Sequence, residues 1–185
     1  SFSMTKTALN DYAAFESTGA GDIAITAATA AALSTDIAKL TSADEINITG
    51  ANGQTLSISQ TDLDSITTLT ADEGDDIAVT AATAAALSTS IAKLSVSGAG
   101  EISVTGADGQ TLSISKTDLD SITTLVTDDA DNAILTGATS AALAADVAKI
   151  TATGAGTLSI VGADGESCSM TKTALNDYAA FESTG

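Results

Sequence analysis

The residues best suited to chemistry in this sequence are carboxylates, and they gather at two places. "ADEGDD" brings together Asp72, Glu73, Asp75 and Asp76, and "TDDADN" brings together Asp128, Asp129, Asp131 and Asn132. Hard oxygen donors at this density suit Ca2+, which takes about six to eight oxygen ligands. The spacing is not that of an EF-hand, which alternates its ligands and closes on a distant Glu. A related stretch, "ESTGAGD", keeps only Glu16 and Asp22. Two expectations follow. Either the acidic turns hold a structural Ca2+, or they are solvated and cap the strand that comes next. No other cofactor is indicated.

Nucleophilic chemistry has little to work with. The chain contains no histidine, and Cys168 is its one cysteine. A Ser-His triad is excluded, and a lone thiol without a base is a poor nucleophile. One cysteine makes neither an internal disulfide nor a thiolate metal cluster. The expectation is a protein that is not an enzyme. Hydroxyl rows are a second binding candidate. Thr55, Ser57 and Ser59 with Asn47 and Thr49, and Ser103 and Thr105 with Thr111, Ser113 and Ser115, would form polar sheet faces for a glycan or ice. Sheets with one wet face ordinarily alternate in this way.

Charge narrows the partners. The net charge is −18, with 24 acids against six lysines. Phosphate backbones and anionic membrane surfaces would repel such a chain, so no nucleic-acid partner is expected. No apolar run reaches about 18 residues, so no membrane insertion is expected. The start carries no signal-peptide pattern, and the sequence reads as a piece of something longer.

The elements that position these residues recur. "TLSISQTDLDSITTL" at Thr55–Leu69 returns as "TLSISKTDLDSITTL" at Thr111–Leu125, differing only at Gln60 and Lys116. "IAITAATAAALSTDIAKL" at Ile23–Leu40 returns at Ile77–Leu94, and a more diverged copy spans Ala133–Ile150. The first offset is 54 residues and the next is 56. "SMTKTALNDYAAFESTG" fills Ser3–Gly19 and returns unchanged as Ser169–Gly185. The chain therefore divides into repeats at 1–54, 55–110 and 111–166, with a partial fourth at 167–185 that duplicates 1–19. The larger period is 166 residues.

Each repeat reads as strand, helix, hairpin, helix. "DIAVT" alternates like a strand. In "AATAAALSTSIAKL", Leu87, Ile91 and Leu94 with Ala84 make the stripe of a three-turn helix, capped by Thr80. Lys39, Lys93 and Lys149 close its last turn, where a cation suits the macrodipole. "EISVTGADGQTLSIS" reads as a hairpin through Gly109, as do the copies with Asn52-Gly53 and Asp164-Gly165. "KTDLDSITTL" reads as a second helix carrying Leu119, Ile122 and Leu125, started by Ser115 with Asp118 three residues on.

Hydrophobic residues make up 44% of the chain and aromatics only 3%. The core must be thin aliphatic layers, and a unit of about 56 residues built that way is marginal alone. The expected fold is an α/β, solenoid-like repeat array in which neighbours cover each other's open faces. A string of small α+β domains is the alternative.

In its near-identical copies, its Ala/Thr/Ser/Gly/Asp bias, its lack of proline, and phrases such as "ITAATAAALSTDIAKL" and "SVTGADGQTLSIS", the chain resembles the tandem arrays of very large repetitive bacterial surface or secreted proteins, often called adhesin-like. The resemblance implies an extracellular stalk, spacer or self-assembling fibre element, with a role in adhesion. The calcium-binding nonapeptide of some such proteins is not present. The alternative function is a binding module for Ca2+, glycan or ice, and a consensus-engineered array is a third reading.

Tyr12 and Phe15, with their copies Tyr178 and Phe181, mark the seam between modules, and Cys168 lies there too, where Phe2 stands in the first copy. They read either as a larger core plug or as an assembly device. The expected partners are neighbouring copies of the chain itself, head-to-tail or swapped, with a cell-surface or glycan partner as the second candidate.

Overall fold

The computed structural model describes residues 1–17, 21–42, 44–128, 130–165, 167 and 179–182. In chain order the elements are β1 (Phe2–Thr5), α1 (Lys6–Leu9), β2 (Phe15–Ser17), β3 (Ile23–Ala28), α2 (Leu33–Ile37), β4 (Leu40–Ser42) and β5 (Ile46–Gly50). Next come β6 (Leu56–Ser59), α3 (Gln60–Asp64), β7 (Thr68–Ala71), β8 (Ile77–Ala82), α4 (Leu87–Ile91), β9 (Leu94–Val96) and β10 (Ile102–Gly106). The last are β11 (Leu112–Ser115), α5 (Lys116–Asp120), β12 (Thr124–Val126), β13 (Ala133–Ala138), α6 (Leu143–Ala148), β14 (Ile150–Thr151), β15 (Leu158–Gly162) and β16 (Ala180–Glu182).

The fold is α/β with parallel sheets and short helices. It divides into two compact units, Ser1–Thr80 with Ala92–Ile102, and Ala81–Ile91 with Ser103–Gly185. In the first, β1, β3, β5, β7 and β9 form one parallel sheet, while β2 pairs with β4 and β6 with β8. In the second, β10, β12 and β14 pair in that order, and so do β11, β13, β15 and β16. From β1 to β15, consecutive strands go to different sheets and each strand finds its partner after an intervening strand has passed; β16 pairs with β15, and most of the residues between these two lie outside the described ones.

The hairpins expected through Asn52-Gly53 and through Gly109 do not form, and the second strand of the one expected through Asp164-Gly165 lies outside the described residues. Gly53, Gly109 and Gly165 do take the positive φ that their turns require, at 75°, 77° and 75°. The turns, however, hand the chain from one sheet to another: β5 pairs with β3 and β7, and β6 pairs with β8. The reason is the match of aliphatic rows. Ile23 lies beside Ile46, and Ile25 beside Ile48. Ile48 lies beside Leu69, and Leu69 beside Leu94. In the second unit Ile114, Leu135, Ile160 and Phe181 run side by side across four strands. Ile23, Ile25, Ile48, Leu69, Ile114, Leu135 and Ile160 are buried. Each such burial contributes about 1.5–3 kcal/mol, and parallel registry lets small aliphatic residues stack without rings.

The helices are shorter than expected. α4 stops at Ile91, and Leu94 opens β9. α5 stops at Asp120, and Leu125 belongs to β12. Spacings of three and four residues fit either a helix or a turn into a strand, and here the ladder with Leu69 claims Leu94. Thr80 does not cap a helix. It sits in β8 opposite Ser59, and its hydroxyl donates to the Ile58 carbonyl at 3.4 Å. Ser115 does cap α5, accepting from the Asp118 N–H at 3.1 Å and donating to the Asp118 carboxylate at 2.9 Å. Ser59 makes the same two bonds with Asp62. Among the described residues, no helix is long and apolar enough to cross a membrane.

Candidate functional site

The acidic turns do not converge on a point; their carboxylates reach out to neighbouring backbone. Asp72 accepts from the Ser97 hydroxyl at 3.0 Å and from the Glu73 N–H at 2.9 Å. The Glu73 N–H also donates to the Ser97 hydroxyl at 2.8 Å, and the Gly74 N–H donates to the Ser97 carbonyl at 3.0 Å. The Glu73 carboxylate takes a bond from the Asn52 amide at 2.9 Å. Asp76 accepts from the Glu101 N–H at 2.9 Å, and the next N–H, of Ile77, donates to the Glu101 carbonyl at 2.8 Å. The turn thus clamps the glycine-rich loop "SGAGE" lying beside it. One oxygen of Asp75 is buried without a hydrogen-bond partner.

The second turn repeats the arrangement with different chemistry. Asn132, which aligns with Asp76, accepts from the Thr157 N–H at 3.0 Å and the Thr157 hydroxyl at 2.6 Å. Asp131 accepts from the Gln110 N–H at 2.9 Å, and its carbonyl accepts from the Thr127 hydroxyl at 2.8 Å. Asp128 is exposed, and Asp129 lies outside the described residues. That an amide replaces a carboxylate at Asn132 and makes the same bond shows that this position needs an acceptor, not a charge. Gly100 and Gly156 make the close approach feasible, because a methyl group at either would collide with the carbonyl of Asp75 or Asp131. In the third turn, Asp22 accepts from the Ser1 hydroxyl at 3.0 Å, and Glu16 lies exposed in β2. Among the described residues, no group of three His, Cys, Asp or Glu is placed to hold a metal ion.

Two further charged groups, missed in the sequence, sit at the helices, one in each unit. Asp36 and Asp146 are buried, each with one oxygen lacking a hydrogen bond. Lys116 lies 3.8 Å from Asp146 and 2.7 Å from Asp120, while Lys39 lies 4.0 Å from Asp36. The hydrogen bond to Asp120 raises the Lys116 ammonium above its ordinary range, with the charge of Asp146 adding to it. The same hydrogen bond holds the Asp120 carboxyl below its usual value. A signal existed: where Lys116 becomes Gln60, the position of Asp146 becomes Ser90, and Lys6 goes with Asp36.

Two of the repeated lysines, Lys93 and Lys149, serve other helices than the sequence suggested. Lys93 donates to the Leu63 and Asp64 carbonyls at the end of α3, at 2.8 and 3.4 Å. Lys149 donates to the Leu119 and Ile122 carbonyls at and beyond the end of α5, at 2.9 and 3.0 Å. Each fills orphan carbonyls of a helix about thirty residues earlier.

At the seam, Phe15 packs edge-on against Phe2 and Tyr12, with ring centroids 5.6 and 6.1 Å apart. Tyr12 is 50% exposed and Phe2 53% exposed, so this is an open cluster and not a core plug. Phe181 is half-buried in β16 beside Ile160. Cys168 and Tyr178 lie outside the described residues. The two hydroxyl rows are not single faces, because β5 and β6, and likewise β10 and β11, belong to different sheets. What does form is a local ladder, in which the Thr68 hydroxyl donates to Asn47 at 2.6 Å. Compared with protein-family models, curated proteins and solved structures, the chain matches none.

Proposed function

We propose that this chain is a non-enzymatic structural module: a stalk, spacer or self-assembling fibre element of an extracellular bacterial surface protein, in which copies of one 56-residue unit lean on each other. The observation that carries the reading is the ladder spacing. Every described strand pair joins residues 21 to 25 positions apart, from Phe2 with Ile23 and Leu69 with Leu94 to Ser159 with Ala180. Each copy supplies five strands, β1–β5, β6–β10 and β11–β15. Two strands make one coil, so a copy holds two and a half coils, and among the described residues every sheet but the pair β2–β4 runs across a copy boundary. Stability then comes from neighbour interfaces, which suits a rod that grows by repetition. The clamps, the lysine caps and the aliphatic rows all act between coils.

Two experiments test this. Residues 55–110 expressed alone should show no cooperative melting, whereas the whole chain melts as a unit; equal melting temperatures would overturn the stacking. Antibody raised against the chain should label intact cells of the source bacterium, and protease added outside should remove the label. An internal antigen, reached only after lysis, would overturn the surface assignment.

A further inference from the structure

The turns that follow β5, β10 and β15 repeat one backbone shape with one chemical difference. Gly53, Gly109 and Gly165 have φ of 75°, 77° and 75°. The residue before the glycine is Asn52 in the first copy, and Asp108 and Asp164 in the next two. Of the asparagines in the chain, Asn10, Asn47, Asn52, Asn132 and Asn176, only Asn52 precedes a glycine. Asn52 and Gly53 are both exposed, and nothing lies within 4 Å of where a Gly53 methyl group would sit. The Gly53 carbonyl accepts from the Gln54 amide at 3.2 Å, while among the described residues the Gly53 N–H makes no hydrogen bond. The Asn52 amide donates to the Glu73 carboxylate at 2.9 Å, 21 positions along the chain and on the next coil.

We propose that Asn52 is a site of spontaneous modification, at which the side-chain amide is lost as ammonia through a cyclic imide formed with the Gly53 nitrogen, and that the change breaks the contact with Glu73. Hydroxide from solvent takes the Gly53 N–H proton, and the nitrogen bonds to the Asn52 Cγ. The Cγ–Nδ2 bond then breaks, and the amide nitrogen leaves as ammonia with a proton from water. Water adds across one of the two C–N bonds of the imide, giving aspartate or isoaspartate. The requirements are met locally. The attacking N–H is free, no Cβ on Gly53 crowds the five-membered ring, and solvent reaches both residues. The bond to Glu73 must let go first, and both partners are exposed, where such contacts contribute little. The aspartate product fits the fold, because Asp108 and Asp164 carry a carboxylate on the same turn. What changes is the link between coils. A carboxylate at position 52 has no proton to give Glu73, so an attraction becomes a like-charge repulsion. The step runs one way, and the link is lost as the molecule ages.

The whole chain, kept at mildly alkaline pH and body temperature, should develop a second and more acidic band on isoelectric focusing. Cleavage after lysine followed by mass spectrometry should place the change at Asn52, as a mixture of aspartate and isoaspartate, with Asn47 in the same peptide intact. Asn52→Gln should give no such band, because its longer side chain must close a larger ring. Conversion more than about tenfold slower in the folded chain than in urea would show that the turn protects the site, and would overturn the proposal. So would equal conversion at Asn47, or an acidic band that Asn52→Gln leaves in place. The effect on the link is read separately. Asn52→Asp should lower Tm by about 1–3 °C, and adding Glu73→Gln, which returns a donor to the pair, should restore it. If Asn52→Asp melts with the parent, or Glu73→Gln restores nothing, the loss of the coil link is overturned even where the conversion itself is found.

Discussion

The Lys116 ammonium lies 3.8 Å from a carboxylate oxygen of Asp146, a residue only 2% exposed. The two positions are thirty apart, and across copies they hold Lys6 with Asp36, Gln60 with Ser90, and Lys116 with Asp146. A charge is present at both or at neither. A buried carboxylate that loses its cation carries a desolvation cost with nothing to offset it, whereas a neutral pair of similar size can be as stable. Lys116→Gln alone and Asp146→Ser alone should each lower Tm by a few degrees, and the double variant should recover most of the loss. Thermal unfolding of the four proteins in a double-mutant cycle reads this out, and simple additivity would show that the two side chains are independent.

Three equivalent positions carry backbone strain, and one copy has relieved it. Ala27, Ala81 and Gly137 all have positive φ, at 56°, 55° and 68°, and Ala27 and Gly137 lie at a register shift in their strands. All three are exposed, and nothing lies within 4 Å of where a Gly137 methyl group would sit. Only the backbone decides there. Ala81→Gly should stabilise the chain by about 1 kcal/mol, and Gly137→Ala should cost about as much. Urea midpoints measured at constant m check the sign at each position.

Removing metal should change little. Asp72, Glu73, Asp76 and Asp131 already accept hydrogen bonds from neighbouring groups. Neither added Ca2+ nor EDTA should move the melting curve, because only a ligand bound to the folded state alone raises Tm. Asp76→Ala, by contrast, should cost about 1–2 kcal/mol through the lost acceptor, and Asp76→Asn much less, as Asn132 in the next turn indicates. A Ca2+-dependent rise in Tm would favour the metal reading.

The pH dependence of the Lys116–Asp120 pair follows from its shifts. The Asp120 carboxyl is lowered, so its contribution is present above the unfolded carboxylate value and is lost as pH falls through the lower folded one. The Lys116 ammonium is raised, so its contribution is present below the unfolded lysine value and is lost as pH rises through the higher folded one. Asp120 is 54% exposed, so the effect is small. Asp120→Asn should lower the neutral plateau slightly, flatten the acid-side slope of stability against pH by the same small amount, and leave the stability at the acid end nearly unchanged.

Truncation should separate the stacked rows from the seam. Leu69 is fully buried between Ile48 and Leu94, and Leu69→Ala should cost about 2–5 kcal/mol. Tyr12 is half exposed, and Tyr12→Ala should stay within about 0.5 kcal/mol of the parent. Comparable losses from the two would mean that the aromatic cluster is part of the core.

Local features were legible from the residues alone. The Ser115 cap, the positive-φ turn at Gly109 and the alternation of Ile102 and Val104 each depend on neighbours a few positions apart, and each appears as expected. The partner of each strand was not legible. An "ADG" turn between two alternating strands satisfies a hairpin as well as it satisfies a corner between sheets, and only the fit of aliphatic rows 21 to 25 residues away chooses between them. The same holds for Leu94, whose spacing suits a helix until Leu69 claims it, and for Lys93, whose carbonyl partners lie in another helix. Sequence determined which residues are apolar, which turn and which cap, because those are short-range properties of the chain. Tertiary structure decided who pairs with whom, because that is set by burial shared between distant segments.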